Sequence, residues 1–191
     1  MLKKATLWAS VLALLAVAPQ AWAGAKEWSI NLSGGMAAPM SDFKDAAKTG
    51  YVFGVGADYG LKENLGVGID GSFVSNNASD ANLDQTAKAE ILQGGAHIKY
   101  SFPMASESKL SPYLIGGLGA YNVKAKSDLI PEVSNTKFGA RGGIGLMYKT
   151  GPKVGIGIES DYNWIDTDVT STQYIGVRAG VTIGMGTPAA K

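Results

Sequence analysis

The 191-residue sequence contains no cysteine and only one histidine. Without cysteine there can be no disulfide, thiolate metal site or cysteine nucleophile, and a single histidine cannot build a His-rich metal site. Charge of one sign is also missing, with 17 Lys and Arg against 16 Asp and Glu and no basic run. The chain therefore lacks the electrostatic footprint of a nucleic-acid binder. Beyond the first two dozen residues no segment reaches 18 consecutive apolar residues, so no membrane-spanning helix follows. That absence says nothing against a membrane β-barrel, whose apolar face is hidden in alternation.

What is present begins with MLKKATLWASVLALLAVAPQAWA. Lys3 and Lys4 form a positive region, Leu7 to Ala18 an apolar core, and Ala21-Trp22-Ala23 a small-x-small cleavage pattern. Residues 1–23 read as a secretory signal peptide too short to anchor the chain. Gly24 after the cut is not the cysteine of a lipoprotein. Residues 24–191 then form one domain, and without Lys3 and Lys4 its net charge is −1.

Along this domain the hydrophobic period is two. Trp28, Ile30, Leu32 and Met36 alternate with Ser29, Asn31 and Ser33. Tyr51, Phe53, Val55, Ala57 and Tyr59 alternate with Gly54, Gly56 and Asp58, and Leu65, Val67, Ile69 and Phe73 with Gly66, Gly68, Asp70 and Ser72. The same holds around residues 92–102, 138–148, 154–164 and 175–183. Residues 113–123 are less regular, with Tyr113, Ile115, Tyr121 and Val123 sharing a parity. Eight strands of roughly 9–11 residues result, the length a tilted strand needs to cross a bilayer. Tight turns at Lys62-Glu63-Asn64 and Lys149 to Lys153, and a modest one at 103–111, alternate with polar loops near 37–50, 74–89, 124–135 and 165–173. This is the rhythm of an up-and-down barrel with short periplasmic turns and longer outer loops.

A soluble sandwich or a periplasmic lipid-binding barrel shares that period. The polar faces separate them, because they carry Gly and Ser punctuated by single charges rather than the Lys, Glu and Thr of a solvated surface. The apolar faces also end in aromatics, with Tyr51, Phe73, Tyr121, Phe138 and Trp164 near the loops and Trp28, Tyr59, Tyr100, Tyr113 and Tyr148 near the turns. Two such belts are expected where strands cross both membrane interfaces.

Counting heights from the turns places charges together on the inner face. Glu159 falls between Arg141 and Arg178 near mid-height, with Asp161 above. Asp58, Asp70 and Lys99 form a second group with His97. Two lumen clusters are expected, and charges in such an interior must be paired, which favours a salt-bridged plug over a polar conduit or a catalytic site. His97 has no same-face Ser beside it, so a hydrogen-bonding role is expected of it rather than that of a base. GVGIDG, residues 66–71, has dinucleotide-loop spacing, but no helix opens from it, and strand period continues through Ser72-Phe73-Val74. Asp80, Asn82 and Asp84 open like a calcium loop, yet Gln85 stands where Gly is required. The glycine-rich run before Tyr148-Lys149-Thr150 lacks the Gly that a P-loop places before Lys. No cofactor or metal site is expected.

With these residues in place, the chain resembles the small eight-stranded outer-membrane barrels of Gram-negative bacteria. That group includes the membrane domain of outer-membrane protein A and the outer-membrane proteins X and W. The resemblance rests on SPYLIGGLGAY and on FGARGGIGLMY, VGIGIESDYNW and YIGVRAGVTI. The chain departs from the group at its end, Ile183-Gly184-Met185 followed by GTPAAK, where the group finishes on an aromatic. The resemblance implies residence in the outer membrane and contact with its lipid and lipopolysaccharide. It also implies assembly by the barrel-assembly machinery and loops that meet an extracellular ligand. A non-enzymatic barrel serving envelope integrity or surface interaction and adhesion is expected. A narrow channel or transporter for small or apolar solutes is the alternative, and a lipid-modifying enzyme the remote one.

Overall fold

The computed structural model describes residues 26–78, 88–104, 108–127, 130–167 and 172–185. Residues 1–23 and the Asp80, Asn82 and Asp84 segment lie outside them. The eight strands are β1 (Trp28–Met40), β2 (Gly50–Lys62), β3 (Leu65–Asn77), β4 (Lys88–Ser101), β5 (Leu110–Ser127), β6 (Ile130–Lys149), β7 (Val154–Ile165) and β8 (Thr172–Gly184). One short helix, α1 (Phe43–Ala46), follows β1. Each strand pairs antiparallel with its sequence neighbours, and β1 pairs with β8, closing the barrel. Closure leaves no sheet edge within the membrane-crossing wall, which hydrocarbon requires because it offers no hydrogen bonds. Both termini of the wall and the tight turns lie at one end, the periplasmic one in barrels of this kind.

Alternation decides which way each strand faces. Leu32, Phe53, Val55, Ile69, Leu92, Ile98, Leu118, Ile144, Ile158 and Val177 are all more than half exposed on the outer wall. Their exposure is the expected state for side chains that meet lipid rather than water. Ser29, Asp58, Ser72, Gln93, His97, Arg141, Asp161, Asn163, Arg178 and Thr182 are buried on the inside.

Two features differ from the sequence reading. The strands run 12 to 20 residues, longer than the bilayer demands, because pairing continues past the membrane at the outer end. The expected polar loop at 124–135 is largely a continuation of β5 and β6, paired as far as Ser127 with Ile130. Its polar residues hold that extension together: Asn122 donates to Ser134 Oγ at 3.0 Å and to Thr136 Oγ1 at 2.9 Å. Polarity marks exposure to water here, and the hairpin remains strand because both strands find a partner.

Candidate functional site: the filled lumen

Eight inward residues from six strands form a chain of alternating charge. Lys99 Nζ donates to Asp58 Oδ2 at 2.6 Å. Asp58 Oδ1 lies 2.6 Å from His97 Nε2, and His97 Nδ1 lies 2.7 Å from Asp70 Oδ1. Arg141 Nη2 donates to Asp70 Oδ1 at 2.9 Å, and its Nη1 lies 3.9 Å from Glu159 Oε1. Arg178 Nη2 then bridges Glu159 Oε1 at 3.0 Å and Asp161 Oδ1 at 2.8 Å. The two expected groups are therefore one network. Arg141 joins them by reaching across the lumen from β6 to Asp70 on β3, two strands that are not neighbours.

Neutral partners complete the carboxylates. Gln93 Nε2 donates to Asp70 Oδ2 at 2.9 Å, while Gln93 Oε1 accepts from Ser72 Oγ at 2.7 Å. Asn31 Nδ2 donates to Asp58 at 3.1 Å, Tyr113 Oη to Glu159 at 2.9 Å, and Asn163 Nδ2 to Asp161. His97 is only 5% exposed, and each of its ring nitrogens faces a carboxylate oxygen. Nδ1 also lies 3.4 Å from Arg141 Nη2. Lys99, Arg141 and Arg178, with the His97 ring between two carboxylates, thus face the carboxylates of Asp58, Asp70, Glu159 and Asp161. Buried charge is tolerated only when paired in this manner.

The network also explains a glycine. A Cβ on Gly68 would sit 2.5 Å from Asp58 Oδ1 and 2.6 Å from His97 Nε2. Of the three glycines in GVGIDG, Gly68 makes room for the ion pair, while Asp70 of the same stretch belongs to it.

Tyr113 and Tyr121, expected in the aromatic belts, point inward instead, at 7% and 0% exposure. On β5 the lipid face belongs to Leu110, Leu114 and Leu118, which have no polar atom. The tyrosines turn their hydroxyls to Glu159 and, at 3.2 Å, to Asn163 Oδ1. Their rings fill space that glycine leaves on β6: a Cβ on Gly145 would run into the Tyr113 ring, and one on Gly139 would come within 2.6 Å of Tyr121. The leucine parity was the signal that could have placed them. The remaining belt residues lie on the outer wall, where Trp28 stacks on Tyr59 at 5.1 Å and Tyr51 on Phe73 at 6.3 Å. Tyr100, Tyr148, Phe138 and Trp164 share that face.

Above the network the lumen is apolar. Ala37, Val52, Val74, Ile91, Tyr121, Ile165 and Tyr174 pack together, with Phe43 of α1 against them. Tyr174 went unnoticed in the sequence, though it stands four residues before Arg178 on the same face. Below the network, Tyr113, Ile115 and Met147 form a smaller cluster. Among the described residues, one cavity of about 60 Å³ lies within the network itself, bordered by Asp70, His97, Arg141 and Glu159, and one of about 50 Å³ lies below it, bordered by Lys62, Asn64 and Ser111. Each has room for a few waters and no more. Among the described residues no cluster of His, Asp and Glu is arranged to hold a metal ion.

An apolar outer wall closed around a charge-paired, hydrogen-bonded interior defines an integral outer-membrane β-barrel. The chain belongs to the outer membrane protein beta-barrel domain family, whose model matches residues 9–186, and it resides in the bacterial outer membrane. Comparison with curated protein sequences finds no match. Among solved structures, Neisserial surface protein A superposes with a TM-score of 0.66 at 19% identity, over 82% of this chain and 96% of that one. The N-terminal barrel domain of Pseudomonas aeruginosa OprF gives 0.56 at 15% identity, over 85% and 99%. Ail, the attachment invasion locus protein of Yersinia pestis, gives 0.54 at 18% identity, over 83% and 99%. At these identities the likeness is one of fold.

Proposed function

We propose that the protein is a non-enzymatic, non-conducting barrel that displays a surface for interaction at the outer face of the membrane. The observation that carries this reading is the sealed lumen. A continuous eight-residue ion-pair chain crosses it, and a mainly apolar layer covers the chain on the outer side. In an eight-stranded barrel side chains are enough to fill the interior, and here they leave only cavities of about 60 and 50 Å³.

What reaches outward is the β5–β6 hairpin. β6 pairs with β7 only from Gly139 onward, and Phe138 O still accepts from Asp166 N, so residues 130–137 pair with β5 alone. Beyond Tyr121 six more residues of β5 extend the wall, roughly 17–20 Å at strand rise. Loops on a rigid scaffold are where recognition concentrates. A surface protein and an attachment protein are among the barrels with this fold, which supports the reading without settling a ligand. Lipopolysaccharide and outer-membrane lipid would surround the wall, and the assembly machinery would insert it.

The test has two arms. In planar bilayers the purified protein should give no stable conductance, and steady single-channel steps would favour the channel reading instead. Cells displaying the protein should bind immobilised host-cell extracts or matrix components more than control cells do. Replacing residues 124–135 with a two-residue turn should remove that binding while the barrel stays folded. Binding that survives the replacement would overturn the role of the hairpin.

A further inference from the structure

The cavity of about 50 Å³ below the charge network is bordered by hydroxyl groups that no protein group satisfies. Ser29 of β1, Ser111 of β5 and Thr182 of β8 all line it, at 4%, 4% and 6% exposure. Among the described residues none of these three hydroxyls has a hydrogen-bond partner. Their oxygens are not sealed within the wall either, so they open onto the cavity. A buried hydroxyl left without a partner is costly. Three that converge from separate strands call for an occupant.

The charges at the inner end of the cavity decide the sign of that occupant. Asp58 and Lys99 both border it, but they are not equally satisfied. Asp58 Oδ1 is taken by His97, and its Oδ2 by Lys99 and Asn31. An ammonium group has three N–H donors, and among the described residues Lys99 Nζ gives a hydrogen bond to Asp58 Oδ2 alone. The Tyr113 ring, 5.4 Å from Nζ, covers it from one side.

The alternating chain of the lumen therefore ends here on a cation with donors to spare. An anion beside Lys99 continues the alternation by one place, whereas a metal cation would meet the ammonium directly. The hydroxyls supply further donors around the same space, and Lys62 and Asn64 border it toward the periplasm. Size narrows the choice. A space for a few waters admits a halide, which is close to water in size, and is too small for phosphate or sulfate.

We propose that this cavity is a halide site, holding one chloride ion against Lys99 Nζ and the hydroxyls of Ser29, Ser111 and Thr182. Crystals of the protein soaked in sodium bromide should show an anomalous peak in the cavity, within hydrogen-bonding reach of Lys99 Nζ. The double variant Ser111→Ala with Thr182→Val removes two hydroxyls without touching the charge chain. It should lose the peak and keep its folded gel mobility. In detergent solution, exchanging sodium gluconate for sodium chloride should raise the wild-type melting temperature by about 2–4 °C more than that of the double variant. Water alone in the cavity of the bromide-soaked crystals would sink the proposal. So would equal shifts in the two proteins, which would leave bromide binding at crystal concentration only. A bromide peak that survives in the double variant would remove the hydroxyls from the site as assigned. A rubidium peak in the cavity after a rubidium soak would overturn the sign of the occupant.

Discussion

Glu159 is the residue most of the lumen leans on, since it accepts from Arg178 and Tyr113 and lies near Arg141. Glu159→Ala leaves two buried guanidinium groups with an excess of charge. Unfolding by urea in lipid vesicles should show a loss of about 3 kcal/mol or more, with a lower melting temperature in detergent. An unchanged melt accompanied by new ion conductance would mean that Glu159 acts as a gate and not as part of a plug. Glycines give a sharper comparison, because two on the same strand face opposite ways. Gly145→Ala should cost about 1–3 kcal/mol, since the new methyl meets the Tyr113 ring. Gly142→Ala should stay within about 0.5 kcal/mol, for nothing stands within 4 Å of its Cβ. Equal effects at both positions would contradict the assignment of faces.

At the scale of the strand, alternation is a reliable guide wherever one face is apolar and the other is not. In β1 to β4 and β6 to β8 most Gly and Ser and the charged residues near mid-height mark the inside, and Asp58, Asp70, His97 and Arg178 could be placed by counting. In β5 both faces are apolar, so Tyr113 and Tyr121 were legible only through their hydroxyls and through Leu110, Leu114 and Leu118 opposite. Nor could counting find the Arg141–Asp70 contact, because it spans the diameter between strands far apart in the sheet and depends on a long side chain. The hairpin was hidden for a different reason: its composition is that of a loop, and its strand state comes from pairing. Replacing residues 124–135 with a short turn should accordingly leave the unfolding free energy within about 1 kcal/mol, measured by the same urea titration. A larger loss would show that the extension supports the wall.

For the whole molecule, the wall and the interior make one cooperative object, since the apolar outside depends on lipid and the charged inside depends on closure. An unboiled sample in detergent gel electrophoresis should migrate apart from a boiled one, and membrane fractionation should place the protein with the outer membrane. Identical mobility before and after boiling would contradict a closed barrel in detergent.

Single hairpins satisfy only part of the lumen charge, as Arg178 with Glu159 and Asp161 or His97 with Asp70. The salt-bridge chain takes members from β2, β3, β4, β6, β7 and β8, and its middle link, Arg141 to Asp70, exists only when the sheet has curled into a tube. A half-inserted sheet would expose bare carboxylates and guanidinium groups to hydrocarbon at a cost of several kcal/mol each. Insertion is therefore pushed toward a late, concerted event, in which the ring shuts and its charges neutralise together.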